Sequence, residues 1–328
     1  MNDGVPARLD SGELKAFALS LGFDAVGVCD ALPSEGLAAY RKWIDRGFYG
    51  SMEYLKRHLP QKADPHSLLP SAKSVVACSL PYNQPDPWQP GMPRIARYAL
   101  GRDYHKVMRG KLKRLARWLE DRHHGIETRA CVDSAPILER DYAHLAGLGW
   151  FGKNTLLIDS RKGSWFFIGL LLTSVRFEPD KPSVGSCGTC RKCIDACPTG
   201  AIVHEGGRWQ VDARRCTSYL TIEHRGEIEP DLREKMGEWT FGCDVCQEVC
   251  PFNQPREGQP LRAPGTRERD FLQPRPWPSL QELVQLSRDD WDALTRGSAV
   301  RRAGWEGLRR NAEINLANPR LTFRGRST

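Results

Sequence analysis

The stretch CGTCRKCIDACP, residues 187–198, places four cysteines within eleven residues and a proline directly after the last one. Its spacing, C-x₂-C-x₂-C-x₃-C-P, is the pattern with which bacterial ferredoxins ligate [4Fe–4S] clusters. In that pattern three close thiolates bind one cluster, and the fourth, here Cys197, binds a neighbouring cluster. The stretch therefore predicts an iron–sulfur region with two clusters held side by side.

A second run, CDVCQEVCP at residues 243–251, repeats this ending but lacks one cysteine. Cys216 is the free cysteine nearby that can supply the missing ligand. Crosswise pairing of the runs gives two complete sets: Cys187, Cys190, Cys193 and Cys250 for cluster 1, and Cys197, Cys216, Cys243 and Cys246 for cluster 2. Paired C-x₂-C motifs also bind zinc, but zinc would not explain the two C-P endings or the leftover thiol in each run.

The remaining cysteines, Cys29, Cys78 and Cys131, each lie in or beside an apolar run. Free cysteine packs like a small hydrophobic residue, so we expect all three in the core. The N-terminal MNDGVPARLD has neither an apolar segment nor a twin-arginine pair, which predicts a cytoplasmic protein without an export signal. The longest apolar run, WFFIGLLLTSV from Trp165, is about half the length of a membrane-spanning helix and predicts a buried strand.

Charge gives a weaker indication of a partner. The formal net charge is +8, which favours an anionic partner such as nucleic acid, although cluster-bound thiolates would offset part of it. Residues 251–328 contain fourteen arginines, no lysine and nine acidic residues. This segment is a candidate surface for an anionic ligand, and a solvated helical face is the alternative interpretation.

Apolar periodicity predicts alternating helices and strands in the N-terminal half. Helices are predicted over SGELKAFALSLGF (11–23) and KLKRLARWLEDRHH (111–124). Strands are predicted over AVGVC (25–29), SVVACSLPY (74–82) and ETRACVD (127–133). The proline-rich YNQPDPWQPGMP (82–93) predicts an irregular loop, and LLIDSRKGSWFFIGLLLTSV (156–175) predicts a hairpin that turns at SRKG.

These elements predict an α/β or α+β domain over residues 1–178. Residues 179–255 hold all eight clustered cysteines and show little apolar periodicity, so we expect the metal to organise this second domain. Residues 256–328 read as a linker followed by two or more helices. Asp133, at the end of a predicted strand, is either a site residue or the N-cap of a following helix.

Several motifs together resemble the epoxyqueuosine reductase family, in its short form. They are ARYALGRDYH (96–105), CVDSAPILERDYA (131–143), AGLGWFGKNTLLI (146–158), CTSYLTIEHRG (216–226) and the cysteine layout. The resemblance extends from about residue 8 to residue 318. It implies an α/β (α+β) cobalamin-binding domain, a ferredoxin-like domain with two [4Fe–4S] clusters, and a short HEAT-like helical C-terminus.

The resemblance also implies a reaction, the reduction of epoxyqueuosine to queuosine at the wobble position of tRNA. Electrons would pass from an external low-potential donor through the clusters to cobalamin. Asp133 would be the general acid, with a pKa raised by burial. The implied cobalamin contacts are Arg57, Arg97, Tyr98, Asp133, Lys153, Asn154 and Ser218. His105 is not assigned to cobalt, because DYHKVMRG lacks the glycine spacing of the histidine box in other cobalamin proteins.

The implied partner is the anticodon stem-loop of tRNA, whose phosphates would meet basic side chains. The candidate contacts are His224, Arg225, Arg301, Arg302, Arg309 and Arg310. We expect a monomer with no membrane association. Two other functions remain open at this point: a cobalamin-dependent enzyme of the reductive dehalogenase kind acting on a small substrate, and a ferredoxin-type electron carrier or assembly partner.

Overall fold

The computed structural model describes residues 8–255, 263 and 265–318. Its strands are β1 (Ala25–Asp30), β2 (Ser74–Pro81), β3 (Arg94–Ile95), β4 (Thr128–Cys131), β5 (Trp150–Phe151), β6 (Leu157–Ile158), β7 (Phe166–Thr173), β8 (Ile202–Glu205), β9 (Arg208–Val211) and β10 (Trp239–Phe241).

The α-helices are α1 (Gly12–Ser20), α2 (Leu37–Asp45), α3 (Glu53–Arg57), α4 (Leu59–Lys62), α5 (Tyr104–Arg122), α6 (Glu139–Leu145), α7 (Lys192–Asp195), α8 (Thr217–Ile222), α9 (Pro230–Lys235), α10 (Val245–Glu248), α11 (Leu280–Val284), α12 (Arg288–Thr295) and α13 (Gly304–Ala317). Short 3₁₀ turns lie at Pro65–Ser67, Arg97–Ala99, Ala213–Arg215 and Ala299–Ala303.

A four-stranded sheet in the order β1-β2-β7-β4 forms the centre of the N-terminal half. All three strand pairings are antiparallel. Strand β2 is buried on both faces: Val76 and Cys78 face the apolar group that includes α1 and α5, whereas Val75 and Ala77 face the group that includes α6. The domain is therefore a helix–sheet–helix sandwich of the α+β kind, consistent with the predicted mixed α and β class.

Most of the predicted elements are confirmed. Helices α1 and α5 and strands β1, β2 and β4 lie where apolar periodicity placed them, and residues 82–93 contain no helix or strand. Helix α5 begins at Tyr104, earlier than predicted, because the Asp103 side chain accepts a hydrogen bond from the His105 N–H at 3.0 Å and caps the helix.

The predicted hairpin over residues 156–175 is wrong. The turn at SRKG forms, closed by an isolated bridge between Asp159 and Gly163. Beyond it, β6 pairs with β5 and β7 pairs with β2 and β4. The apolar run of β7 is buried at the centre of the sheet, which requires partners on both sides and separates β7 from β6.

The cysteine region is joined to the rest of the chain. Strand β10 pairs in parallel with β3, so that Phe241 lies opposite Ile95. The same two residues belong to an apolar group with Leu283 and Leu308 of the C-terminal helices. One core group thus draws on all three predicted domains, and the boundaries at 178 and 255 stay a prediction.

The C-terminal part contains helices, as predicted. Ser279 and Glu282 form a capping box that starts α11. Within the described part of the chain, no helix is both long and apolar enough to cross a membrane.

Candidate iron–sulfur region and active site

Backbone N–H groups point at several of the eight clustered thiols. The N–H of Lys153 donates to Cys187 Sγ at 3.4 Å, and that of Ala201 donates to Cys197 Sγ at 3.3 Å. Cys216 sits at the start of α8, where the backbone N–H groups of Tyr219 and Ser218 act to lower the pKa of its thiol against the effect of burial. Such bonds stabilise thiolate ligands and tune the potential of iron–sulfur clusters.

Mutual charge effects sort the thiols into two groups. The pKa of Cys193 is raised to about 11, mainly by burial and then by the charges of Cys187, Cys250 and Cys190. Burial, then Cys246 and Cys216, raises the pKa of Cys243. After burial, the charge of Cys197 is among the influences that raise the pKa of Cys216. These neighbourhoods are compatible with the crosswise sets, and the assignment of the thiols to two clusters stays a prediction.

One thiol pair joins the two sets. The pKa of Cys246 is raised by burial and then by Cys216, Cys193 and Cys197, so that Cys193 is its neighbour from the other set. Crowded thiols with raised pKa values require a cation before they can all ionise. The donor set therefore fits positively charged iron–sulfur cores.

A single zinc ion would require four closely spaced thiolates. Four thiolates around one zinc lie about 3.8 Å apart, given Zn–S bonds of about 2.3 Å in a tetrahedron. Among the residues described, no three His, Cys, Asp or Glu side chains converge closely enough to hold one metal ion.

Cys29, Cys78 and Cys131 are 5%, 0% and 1% exposed, so they are core residues as predicted.

Asp133 lies in the loop between β4 and α6, in an unusual backbone conformation. Its φ is +49°, in the left-handed region that non-glycine residues rarely adopt. Glu139 holds this conformation by accepting a hydrogen bond from the Asp133 N–H. Backbone strain of this kind persists at functional sites because neighbouring groups hold it in place. Asp133 does not cap α6, whose N-cap is Leu138.

A histidine lies against the Asp133 carboxyl group. His105 Nε2 is 2.9 Å from Asp133 Oδ2, and His105 Nδ1 is 2.8 Å from Asp103 Oδ1. Tyr104 also hydrogen-bonds to Asp133 and stacks on His105 with ring centroids 4.0 Å apart. The start of α5 thus supplies three side chains that surround or orient one carboxylate.

The expectation of a raised pKa for Asp133 is wrong. Burial acts to raise the pKa, but the hydrogen bond from His105, the charge of His105 and the hydrogen bond from Tyr104 outweigh it and hold the pKa below its usual value. Burial acts to lower the pKa of His105, but hydrogen bonds to Asp103 and Asp133 raise it to about 9. Burial, followed by the charge of Asp133, raises the pKa of Glu139 to about 8.

The Asp133 carboxyl group is open to solvent although protein atoms crowd it. The Asp133 side chain is 59% exposed, yet loss of water around it is the largest single influence on its pKa. A side chain that remains open to solvent while protein atoms surround it lies in a concave part of the surface, called the recess below. The buried Thr217 Oγ1, next to Ser218, has no hydrogen-bond partner within the described ranges. An orphaned polar atom in α8 and a crowded but solvent-open carboxyl group at Asp133 are features that fit a large polar ligand such as a corrin.

The predicted cobalamin contacts differ in their surroundings, and their contact with the cofactor stays a prediction. Tyr98 packs in one apolar group with Cys243, and burial followed by the charge of Asp133 raises its pKa. Arg57 is exposed at the end of α3, and Ser218 is half-buried on α8 beside Cys216. Arg97 turns inward, where it bonds to Asn83 at 3.1 Å and stacks over Trp165.

Lys153 and Asn154 lie against the cluster ligands. Lys153 Nζ donates to the carbonyl oxygens of Gly188 and Cys190, both at 2.8 Å. Asn154 is buried and donates to the Cys246 carbonyl oxygen at 3.3 Å. These contacts favour a role in holding the cysteine loops, and their contact with cobalamin stays a prediction.

Four of the six predicted tRNA contacts lie together. Arg302 donates to both carboxylate oxygens of Glu223 at 2.8 and 2.9 Å, and Arg225 donates to the Arg302 carbonyl oxygen at 2.8 Å. Arg310 is half-buried and donates to the carbonyl oxygens of Leu220, His224 and Gly226. Arg310 therefore fixes the loop that carries His224 and Arg225.

The other two arginines are engaged separately. Arg301 pairs with Asp292, and Arg309 donates to the Val284 carbonyl oxygen at 2.7 Å while stacking over Trp305. They lie on the 3₁₀ turn and the helix that follow α12.

Sequence reasoning missed His105, Tyr104 and Glu139 as neighbours of Asp133. One local signal was present: the D-Y-H triplet places a capping aspartate two residues before a histidine. The approach of α5 to the β4–α6 loop depends on the tertiary packing, which no local pattern revealed.

Fold and site together define a class, a protein with an α+β domain joined to a [4Fe–4S] double-cluster region. A family model described as "4Fe-4S double cluster binding domain" matches residues 186–253. A second model, "Epoxyqueuosine reductase QueG, DUF1730", matches residues 62–134.

Individual relatives then give the family. An epoxyqueuosine reductase from Vibrio cholerae is 43% identical over 291 residues, covering 87% of this chain and 75% of the relative. The chain belongs to the epoxyqueuosine reductase family, a family of oxidoreductases.

Two solved structures are also similar. The crystal structure of an epoxyqueuosine reductase with an epoxyqueuosine-modified tRNA-Tyr stem loop has a TM-score of 0.80 at 31% identity, covering 93% of this chain and 80% of that one. The Bacillus subtilis enzyme, described with its catalytic aspartate loop swung out of the active site, has a TM-score of 0.78 at 31% identity over the same shares of the two chains.

Proposed function

We propose that this chain reduces epoxyqueuosine to queuosine at the wobble position of tRNA. Family membership at 43% identity over most of the chain is the observation that carries the proposal. It favours this reaction over dehalogenation of a small substrate and over simple electron transport. The net reaction takes two electrons and two protons, breaks both epoxide C–O bonds, and yields an alkene and water.

The arrangement of thiols supports a directed path for electrons. The ligand loop of cluster 1 has exposed residues on both sides of Cys190, so an external low-potential donor can approach it there. The proximity of Cys193 and Cys246 joins cluster 1 to cluster 2. Cluster 2 lies towards the recess, because Cys216 precedes Thr217 and Cys243 packs with Tyr98.

Cobalamin, when bound, would supply the reducing cobalt centre, and the clusters would supply it with single electrons. In this proposal Thr217, Ser218 and Tyr98 line the cofactor's side of the recess. Asp133 faces the substrate and delivers a proton to its oxygen as a C–O bond breaks. The catalytic aspartate loop described for the Bacillus subtilis relative supports this role for Asp133.

The basic group of His224, Arg225 and Arg302 supports contact with tRNA phosphates near the recess. The charge of Arg302 acts on Asp133, so the group lies close to the reacting centre. The relative solved with a tRNA stem loop supports the same partner. Phosphate contacts of this kind make affinity fall steeply as salt rises.

The decisive test is anaerobic incubation of reconstituted protein with epoxyqueuosine-containing RNA, cobalamin and a strong reductant. We expect nucleoside mass spectrometry to show loss of one oxygen atom, and no loss when cobalamin is omitted. Asp133→Asn should keep clusters and cobalamin but lose turnover. Protein with full iron and cobalamin that leaves the epoxide intact would refute the proposal.

A further inference from the structure

We propose that His105 holds the proton that reaches the substrate oxygen through the Asp133 carboxyl group. The proton donor is then an imidazolium–carboxylate pair, with His105 as a positioning residue that acts through Asp133. The inference rests on the proposed function and adds a second member to its acid.

The geometry fixes both nitrogens of the imidazole ring. Nδ1 lies 2.8 Å from Asp103 Oδ1, and Nε2 lies 2.9 Å from Asp133 Oδ2. Only the imidazolium form donates from both nitrogens, so two carboxylates on opposite sides favour it. Asp103 is itself held in place, because the same oxygen accepts the His105 backbone N–H as the cap of α5.

The ring has little freedom to turn away. It stacks on Tyr104 with centroids 4.0 Å apart, and Tyr104 in turn stacks on Phe167 at 4.2 Å. Exposure separates the two members of the pair: the side chain is 26% exposed for His105 and 59% exposed for Asp133. The carboxyl group therefore faces the recess, and the imidazole stands behind it.

Other charged and titratable groups also face the pair. They are Tyr54, Lys62, Tyr98, Lys106, Glu139 and Arg302. Arg302 favours the ionised form of Asp133, whereas burial disfavours it. The low pKa of Asp133 leaves that carboxyl group without a proton of its own at neutral pH, while the raised pKa of His105 keeps the ring charged. The stored proton of the pair is therefore on the imidazole.

The proposed step balances. The proton on His105 Nε2 moves to the Asp133 carboxylate, and Asp133 passes that proton to the epoxide oxygen, so that an O–H bond forms as the first C–O bond breaks. The pair then takes a proton from solvent and supplies it as the second one, which lets the oxygen leave as water, and a further solvent proton restores the imidazolium. The two electrons come from the external low-potential donor named above, and Asp133 and His105 end unchanged.

The first test needs neither substrate nor turnover. NMR titration of ¹⁵N-labelled histidine, assigned with His105→Gln, should give a pKa near 9 for His105. In Asp133→Asn we expect that value to fall towards the ordinary histidine value of about 6.5. A His105 pKa near the ordinary value in the unmutated protein would overturn the proposal.

The second test is the pH profile of turnover. The unmutated enzyme should lose kcat as pH rises through about 9, because the ring then loses its proton. His105→Gln keeps an N–H that can donate to Asp133 but holds no transferable proton. We expect this variant to lose about 10²- to 10³-fold in kcat at neutral pH, with KM and cobalamin content unchanged.

The matched control is His144→Gln. His144 contacts the Gly149 carbonyl oxygen at 2.8 Å and lies outside this network, so its profile should match that of the unmutated enzyme. If His105→Gln keeps kcat and the fall above about pH 9, the ring only orients Asp133 and the inference is wrong. If the unmutated enzyme fails to turn over, the proposed function fails, and the NMR titration still decides the protonation of His105.

Discussion

Alanine replacements in pairs can reveal which thiols share a cluster. Two cubanes contain about eight iron atoms per chain, so loss of one cluster leaves about four. Cys197→Ala removes a ligand of cluster 2 in the crosswise arrangement. Adding Cys216→Ala should remove nothing more, because both thiols belong to the same neighbourhood. Adding Cys187→Ala should abolish cluster 1 as well and leave almost no iron.

The expected losses of iron follow from which thiols lie close to one another. After burial, Cys250 feels the charges of Cys187 and Cys190, although it lies more than fifty residues further along the chain. A linear arrangement, in which residues 187–197 bind one cluster alone, would reverse the outcome. In that case the pair Cys197 and Cys187 would leave about four iron atoms, and the pair Cys197 and Cys216 would leave almost none.

The assay is iron and sulfide analysis after anaerobic reconstitution, with electron paramagnetic resonance of the reduced protein. Cys78→Ala is the control, because this thiol is fully buried in the central sheet and should leave about eight iron atoms. The reversed pattern of losses would refute the crosswise reasoning. Iron near eight in every single variant would refute the ligand assignment itself.

Three further predictions concern the rest of the molecule. Arg302→Ala should weaken tRNA binding and its salt dependence with little loss of stability. Arg310→Ala should instead destabilise the fold by about 2–3 kcal/mol, because the carbonyl oxygens of Leu220 and Gly226 lose their side-chain donor while that of His224 keeps Arg225. Filter binding and thermal unfolding separate the two effects. Gly242→Ala should lower the iron of cluster 2 and destabilise by about 2 kcal/mol, because φ is +72° and the added Cβ would lie 2.5 Å from Ala96 Cβ. Because the pKa of His105 is raised, the stabilisation from its charged ring is fully present below about pH 6.5 and is lost as pH rises through about 9. The free energy of unfolding of the unmutated protein should therefore exceed that of His105→Gln by more at about pH 6 than at about pH 10. The change in this difference should be at most about 3 kcal/mol.

Local patterns predicted the elements that depend on local chemistry. The burial of β2 and the apolar stripe of α5 both appear as periodicity in the sequence. The hairpin after residue 156 failed because two adjacent apolar segments look like partners in sequence. Only the whole sheet shows that β7 belongs between β2 and β4.

The candidate site shows the same division. The cluster motif could be predicted from the sequence because one short segment supplies several ligands to a cluster. The environment of Asp133 could not be predicted, because His105 and Glu139 reach it from separate helices. Residue type and strand position suggested a site residue, and the acid role implied by the family resemblance gave the wrong direction for its pKa. The imidazole of His105 and the phenol of Tyr104 lower the pKa of Asp133 by more than burial raises it.

In the proposed mechanism, the placement of these groups separates electron supply from proton supply. The thiols of cluster 2 approach the recess from the α8 and β10 segments, while the protonated ring approaches from the start of α5. Tyr98 and Tyr104 pack edge-to-face between these two sides, with centroids 6.1 Å apart. A strongly reducing centre in direct contact with an acidic proton would reduce that proton instead of the substrate. Holding the proton on the shielded imidazole behind Asp133 keeps it from the electron path until the substrate oxygen accepts it.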